Sequence, residues 1–138
     1  MTKKTGIAFF LVLIVYCLAL FYFAVLGREP ANKSIVWLDL LGGYTHPKYN
    51  SISNGLLNMC SFIPVGVLVA LVAKKFKIGK AMLVGLLISA VIEFSQLVWR
   101  RGVFDVDDFF NCVVGAFIGG LLVVCITSIC KKAKMKRI

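Results

Sequence analysis

The chain has 138 residues, of which 60% are hydrophobic, and it carries a formal net charge of +10 at pH 7. Soluble domains are usually about 45–50% apolar, so this composition excludes an ordinary soluble domain and indicates a membrane protein. The length suits a single membrane domain, residues 1–138. The five cysteines form no C-x-x-C pair, so neither a zinc site nor a disulfide framework is indicated.

Four long apolar runs follow one another, and each is predicted to be a membrane-spanning helix because a span needs about 20 such residues. The predicted spans are about 7–26, 56–73, 81–99 and 112–130. The first run is longer than the apolar part of a signal peptide and no A-x-A-like site follows it, which favours an uncleaved first helix. The predicted fold is therefore an all-α, four-helix membrane bundle, with a long outer loop at residues 27–55.

Basic residues are concentrated on one side of the predicted membrane. Eleven of them precede the first helix, fill the loop between the second and third helices, or follow the fourth: Lys3, Lys4, Lys74, Lys75, Lys77, Lys80, Lys131, Lys132, Lys134, Lys136 and Arg137. The positive-inside rule then predicts a multi-pass protein of the cell membrane with both termini in the cytoplasm. The basic tail indicates contact with anionic membrane lipids, and no basic surface interleaved with aromatic residues indicates a nucleic-acid partner.

The outer loop and the cysteines carry weaker signals. Trp37 and Tyr44 are typical of anchors at the membrane interface. His46 is the only histidine and has no neighbouring ligand set, so the sequence predicts neither a metal nor a cofactor. The cysteines are interpreted as small packing residues. A bridge between Cys60 and Cys112 is left open, because both fall near the outer ends of their helices.

Polar and small residues share one face of each of the last three predicted helices. They are Asn54, Asn58 and Ser61 in the second helix, Gly85, Ser89, Glu93, Gln96 and Arg100 in the third, and Asp108, Asn111, Gly115 and Gly119 in the fourth. Their polar members meet in the outer half of the membrane. Pro64, Gly66 and the GxxxG from Gly115 to Gly119 indicate close helix packing, within the bundle or between copies, so the oligomeric state is left open.

Glu93 is the only formal charge within a predicted span, and a charge there costs about 2.5 kcal/mol or more unless it has a partner. Arg100 or Arg101 is expected to be that partner, or Glu93 is protonated. Asp105 or Asp107 is expected to cap the fourth helix. One aspartate is enough to cap the helix, whereas this turn contains three aspartates and two arginines. A salt-bridged turn and a binding site for a polar or charged group therefore both remain as interpretations.

The segments NMCSFIPVGVLV, ISAVIEFSQL and RGVFDVDDFFNCVVGAFIGG resemble the VanZ-like family of small bacterial membrane proteins. The recurring positions of that family match Asn58, Phe62, Pro64, Gly66, Glu93, Gln96, Arg101, Asp105, Asp108, Asn111, Gly115 and Gly119 in this chain. The resemblance implies a four-helix membrane protein with a role in resistance to the glycopeptide teicoplanin. It implies no particular reaction.

Two functions are predicted. The first is a resistance or cell-envelope factor, without catalysis, that binds a lipid-linked cell-wall precursor or a lipoglycopeptide at the outer leaflet. Its predicted ligand-binding residues are Asn58, Glu93, Gln96, Arg101, Asp105, Asp108 and Asn111. The second is a membrane enzyme acting on a polyprenyl-phosphate-linked intermediate, with Glu93 or Asp108 as candidate catalytic residue and Asp105, Asp107 and Asp108 as candidate Mg²⁺ ligands. The first is favoured, because no nucleophile is paired with a base.

Overall fold

Four long helices dominate the part of the chain that the computed structural model describes, residues 3–30, 35–38 and 51–135. Helix α1 spans Lys3–Phe21 and continues into a π-helical turn, Tyr22–Leu26; α2 spans Ser51–Val72, α3 spans Lys77–Trp99 and α4 spans Val106–Met135. All four helices are long and apolar enough to cross a membrane. The predicted all-α, four-helix membrane fold is confirmed. Tyr44, His46 and the side chain of Trp37 lie outside the described residues.

The helices begin earlier than the apolar runs from which they were predicted. Each starts four to six residues before its predicted position, and α4 also continues to Met135 instead of residue 130. Hydropathy marks only the part of a helix that lipid covers, whereas backbone hydrogen bonding continues into polar turns until a cap or a break ends it. Helix α2 therefore begins at Ser51, within the segment 27–55 that was predicted as the outer loop.

A short pair of parallel strands lies between the helices and was not predicted. Strand β1 spans Ile35–Trp37 and strand β2 spans Val103–Asp105. Ile35 pairs with Val103, and Trp37 pairs with Asp105. Parallel strands need a long crossover connection, and here α2 and α3 supply it. The pair joins the segment after α1 to the turn between α3 and α4.

Helices α2 and α4 touch through their backbones. Gly115 lies so close to the carbonyl oxygen of Met59 that an added Cβ would overlap it. An added Cβ on Gly119 would likewise overlap the carbonyl oxygen of Ile63. An added Cβ on Gly66 of α2 would overlap the carbonyl oxygen of Ala116 in α4. Glycine permits this approach because it has no Cβ. The GxxxG of α4 is therefore used within the bundle.

Helix α1 packs at the edge of the other three. Within α1 and its π-helical turn, Val25 is the only buried residue. The Tyr16 hydroxyl donates a hydrogen bond of 2.9 Å to the Ser61 carbonyl, one turn before Pro64 within α2. One face of α1 is partly buried against the core, and the opposite face is exposed, as expected for a helix whose apolar side chains contact lipid.

The last part of α4 extends beyond its neighbours. Gly120 already faces Ile78 and Ala81 at the start of α3, and every residue from Cys125 to Met135 is exposed. The buried core begins at this level with Ala81 and extends toward the start of α4. Its other members are Val25, Phe62, Val65, Val69, Ile92 and Cys112.

Candidate functional site

Five segments meet at one end of the bundle, which we call the polar end. They are the π-helical turn after α1, the first turns of α2, the last turns of α3, strand β2 and the first turns of α4. An edge-to-face contact between the rings of Phe21 and Trp99, with centroids 5.8 Å apart, joins α1 to α3 there. The opposite end, with Lys3, Lys74 and Lys77, is called the lysine end.

Glu93 is buried in the last turns of α3, with 3% of its surface exposed. Its Oε2 accepts a hydrogen bond of 3.3 Å from the backbone N–H of Asp105, which joins α3 to β2. The charges of Asp108 and Arg28 both act on this carboxylate. Glu93 is therefore influenced by one backbone N–H donor, by the cation Arg28 and by two carboxylates, those of Asp108 and Asp105.

Arg28 is the functional residue that the sequence analysis missed. It follows the π-helical turn, and its charge acts on both Glu93 and Asp108. The predicted partners of Glu93 were instead Arg100, whose side chain is exposed, and Arg101, whose guanidinium bonds backbone carbonyls. The sequence offered one signal for it: Arg28 is the first cation after the charge-free run of α1, on the side of the predicted membrane toward which Glu93 lies.

Asp105 caps α4. The sequence predicted that either Asp105 or Asp107 would be the cap. The Asp105 Oδ1 accepts a hydrogen bond of 2.9 Å from the backbone N–H of Asp107, in the first turn of the helix. Negative charge at a helix N-terminus is favourable because the free N–H groups and the helix dipole both stabilise it. Burial nevertheless raises the pKa of Asp105 above its ordinary value, because desolvation disfavours the charged form.

Asp108 and Asn58 join α4 to α2. The side chain of Asn58 forms a hydrogen bond with the Asp108 carboxylate. One turn further along α4, Asn111 is also buried and has an interaction partner. These contacts lie beside the glycine contact of the same two helices, so the polar residues of α2 and α4 are held on a close-packed backbone.

Gln96 and Arg101 attach the end of α3 to the end of α1. The Gln96 Nε2 donates a hydrogen bond of 3.1 Å to the Ala24 carbonyl. The Arg101 guanidinium donates to the carbonyls of Leu26 at 2.6 Å and Arg28 at 3.1 Å. Arg101 therefore holds the backbone that carries the Arg28 side chain.

Gly102 allows the turn after α3 to pass close to this junction. Its φ of 153° lies in a region that favours glycine, and an added Cβ would stand 2.7 Å from Gln96 Oε1 and 3.1 Å from the guanidinium of Arg28. A larger residue would displace both polar groups from the polar end.

A cavity of about 250 Å³ opens beside these residues. Its polar lining comprises Arg28, Asn58, Ser61, Ser89, Glu93 and Gln96; its apolar lining comprises Leu20, Phe23, Ala24, Leu57, Phe62, Ile92 and Cys112. Among the lining residues, Gln96 has a buried Oε1 without a hydrogen-bond partner in the described chain, and the buried Ser89 Oγ has only the weak contact with the Cys112 thiol. Cavities that bind small polar groups have this combination of an apolar wall and a few convergent polar atoms.

The predicted ligand-binding residues divide into two groups around the cavity. Asn58, Glu93 and Gln96 line it. The other four, Arg101, Asp105, Asp108 and Asn111, stand behind that lining, where they contact the lining residues or neighbouring backbone.

An apolar groove adjoins the cavity. It has a volume of about 420 Å³ and lies between α1 and α3. Its lining is Leu13, Ile14, Cys17, Leu18, Phe21, Leu87, Ile88, Val91 and Ile92. Ile92 borders both the groove and the cavity, so polar and apolar binding space lie next to each other on one side of the molecule.

Neither a metal cluster nor a disulfide is found among residues 3–30, 35–38 and 51–135. No group of three or more His, Cys, Asp or Glu side chains there could hold a metal ion. All five cysteines are free. The Cys60–Cys112 bridge that the sequence left open is not formed, because Cys60 is exposed on the outside of α2 whereas Cys112 is buried against the cavity.

Comparison with known proteins identifies the family to which the chain belongs. A family model described as VanZ/LLP1 matches residues 7–127, which include both strands, all of α2 and α3, and most of α1 and α4. No curated protein and no solved structure matches the chain. Because the match covers most of the chain, this multi-pass membrane protein belongs to the VanZ/LLP1 family.

Proposed function

We propose that the protein binds an amphiphilic ligand from the outer leaflet of the cell membrane, with the polar headgroup of the ligand in the cavity beside Glu93. The ligand is a lipid-linked cell-wall precursor or a lipidated glycopeptide such as teicoplanin. Binding, without catalysis, makes the protein a resistance or cell-envelope factor. The observation that carries this proposal is the cavity of about 250 Å³ at the polar end.

The polar lining supports a ligand rich in hydrogen-bond donors. The oxygens of Glu93 and Gln96 are acceptors, and Ser89 Oγ can accept as well as donate. A buried polar atom left without a partner costs about 1–3 kcal/mol. Gln96 Oε1 is in this state, and Ser89 Oγ has only the weak contact with the Cys112 thiol. Sugar hydroxyls and amines, which the proposed ligands carry, would satisfy these atoms. Arg28 would pair with a phosphate or a carboxylate of the same headgroup.

The apolar groove supports the lipid part of the ligand. It opens between α1 and α3 and meets the cavity at Ile92. An acyl or polyprenyl chain in this groove would keep its headgroup at the level of Glu93. A ligand without such a chain would lose the apolar contact, which contributes about 25 cal/mol for each Å² of apolar surface removed from water.

The charge distribution supports placing the polar end outside the cell. The described loop between α2 and α3 and the end of α4 are rich in lysine, and such segments are retained in the cytoplasm. Glycopeptides and the cell-wall precursors that they recognise are outside, so a cavity in the outer leaflet lies where they are encountered.

The pair of carboxylates supports a second candidate function. Glu93 lines the cavity and the charge of Asp108 acts on it, an arrangement in which one carboxyl can act as a general acid or base. The corresponding reaction is hydrolysis or transfer at the phosphate of a polyprenyl-phosphate-linked intermediate, with Arg28 binding the phosphate.

Expression in a teicoplanin-sensitive Gram-positive host tests the proposal. The wild-type protein is expected to raise the tolerated concentration of teicoplanin, and Glu93→Gln and Asp108→Asn are expected to abolish the gain. Ser95→Ala is the control, because Ser95 bonds the carbonyl of Val91 in its own helix and does not line the cavity. Immunoblots of membranes establish equal protein amounts. No gain in tolerance with the wild-type protein contradicts the resistance role.

Binding to the purified protein in nanodiscs separates the two candidates. Labelled teicoplanin is expected to bind about tenfold or more weakly to Glu93→Gln, since hydrogen bonds to charged groups contribute about 1.5–3 kcal/mol. Deacylated teicoplanin should bind weakly to every variant, because it cannot occupy the groove. Conversion of a polyprenyl-linked substrate by the wild-type protein but not by Glu93→Gln, detected by mass spectrometry, would establish the enzyme instead.

A further inference from the structure

We propose that a cleft at the lysine end binds the phosphate and one acyl chain of an anionic phospholipid. The cleft has a volume of about 800 Å³ and lies between the first turns of α1, the end of α2 and the start of α3. It is far from the polar-end cavity, with which it shares no lining residue. The proposal is therefore independent of the function proposed above.

Three cations surround the cleft. Lys3 comes from α1, Lys74 from the turn after α2, and Lys77 from the first turn of α3. No carboxylate of the described chain is available to them, because the acidic residues belong to segments of the polar end: Glu29, Glu93, Asp105, Asp107 and Asp108. A cluster of lysines without carboxylates attracts a phosphate, and several together bind an anionic headgroup more tightly than one.

The start of α3 adds donors for the same anion. The residue before the helix, Phe76, makes no side-chain hydrogen bond to cap it. The first N–H groups of a helix without a cap are free to bind an anion, and the helix dipole favours negative charge there. Lys77 is the first residue of this helix and also lines the cleft, so the start of α3 lies at the edge of the cleft.

The walls of the cleft favour a lipid over free phosphate. Ile7 and Phe10 of α1 and Leu71 of α2 line it together with the lysines. Phe76 stands beside it with 83% of its surface exposed, as is typical of an aromatic residue at the interface of a membrane. An acyl chain would cover the apolar walls, which an inorganic ion would leave bare.

Native mass spectrometry of the purified, full-length protein tests this site. Phosphatidylglycerol added to detergent micelles is expected to bind the wild-type protein as a discrete adduct, and phosphatidylcholine is expected to bind far less. Lys3→Gln, Lys74→Gln and Lys77→Gln should each weaken phosphatidylglycerol binding by about fivefold. The matched control carries the same kind of substitution at Lys131, Lys132 and Lys134, at the exposed end of α4. It should leave the amount of adduct almost unchanged.

Three results would overturn the proposal. Equal loss of the adduct in the cleft variants and in the control would mean that only the total charge of the protein attracts the lipid. Displacement of the lipid by an equal concentration of inorganic phosphate would mean a free-phosphate site. Equal retention of phosphatidylcholine would mean an apolar contact without headgroup selection. Restoration of the adduct by the triple change to arginine would support the proposal independently of any effect of the glutamines on folding.

Discussion

Glu93 shows how one ionisable residue is accommodated in an apolar helix. It is nearly completely buried, yet it has the Asp105 N–H as a hydrogen-bond donor and the charge of Arg28 nearby. An ionisable residue within a membrane span is retained where such partners exist. The same side chain also lines the cavity of the polar end.

Ser89 provides a test of the cavity at the scale of one side chain. The residue is 1% exposed, and its hydroxyl has no contact beyond a weak one with the Cys112 thiol. Ser89→Ala is therefore expected to leave the free energy of unfolding unchanged or to raise it, by up to about 1–3 kcal/mol, because a poorly paired buried group is removed. Unfolding in mixed micelles, followed by circular dichroism, measures the change.

The control for this change is Ser95→Ala. Ser95 lies on the same helix, outside the cavity, and bonds the Val91 carbonyl at 2.7 Å; its removal should change stability by no more than about 0.5 kcal/mol. A loss of more than about 1 kcal/mol in Ser89→Ala would mean that the hydroxyl has a native partner, for which the adjacent Cys112 thiol is the candidate.

Helical spacing predicts which side chains share a face of one helix, but it does not predict the direction of a side chain that follows an irregular turn. Spacing predicts that Glu93 and Gln96 share a face of α3, and hydropathy places Asn58 of α2 at similar depth, so the three could be assigned to one site from the sequence. Their role in binding stays a prediction. Arg28 could not be assigned in the same way, because its direction depends on a π-helical turn and on Arg101 contacts to backbone carbonyls.

The glycines of α2 and α4 determine how the elements fit together. Hydropathy alone predicted four helices, because every backbone group in lipid must be bonded within its own segment. It could not determine whether the GxxxG served this bundle or a second copy, since both arrangements use the same small residues. The close contact of Gly115 with Met59 settles its use within the bundle. The strands β1 and β2 were missed because three residues carry too little periodicity to be recognised.

Two glycine-to-alanine changes test this packing at the scale of the elements. Alanine is favoured over glycine in a helix by about 1 kcal/mol wherever space permits. Gly79→Ala meets no neighbour within 4 Å and should be stabilising by up to that amount. Gly115→Ala meets the Met59 carbonyl and should be destabilising by about 1–3 kcal/mol or more, because α2 and α4 must separate.

Detergent unfolding curves of the two glycine variants, recorded side by side, measure the difference. Both variants replace a helical glycine by alanine, so the intrinsic change in helix propensity is the same. Opposite signs of the change in unfolding free energy would therefore be due to the contact between α2 and α4. Equal stabilisation by both would mean that α2 and α4 are not in backbone contact, and that Gly115 is available to a second copy of the chain.

At the scale of the whole molecule, charge and polarity are separated along the bundle axis. The polar end holds the described carboxylates, and the lysine end holds the cleft with Lys3, Lys74 and Lys77. Such an asymmetry is the usual determinant of orientation in membrane proteins. Because four helices are found in the described part of the chain, we expect its two ends to lie on one side of the membrane.

Labelling of single cysteines in intact cells tests the orientation. In a variant without the five natural cysteines, Ser53→Cys at the start of α2 is expected to react with a membrane-impermeant maleimide in intact cells. Phe76→Cys in the turn between α2 and α3 should react only after permeabilisation. Both positions are exposed, so accessibility to the reagent depends on the side of the membrane. The reverse labelling pattern would place the cavity in the cytoplasmic leaflet and exclude the outer-leaflet function.

The parallel pairing of β1 with β2 has a consequence for biosynthesis. Ile35 leaves the ribosome before α2 and α3 are made, whereas its partner Val103 follows both of them. The two strands can therefore pair only after a complete helical hairpin has crossed the bilayer. Asp105, at the end of β2, then donates to Glu93 and caps α4. The cavity is thus completed at the end of synthesis, and a chain arrested after α3 would carry the Glu93 carboxylate in the membrane without its Asp105 donor.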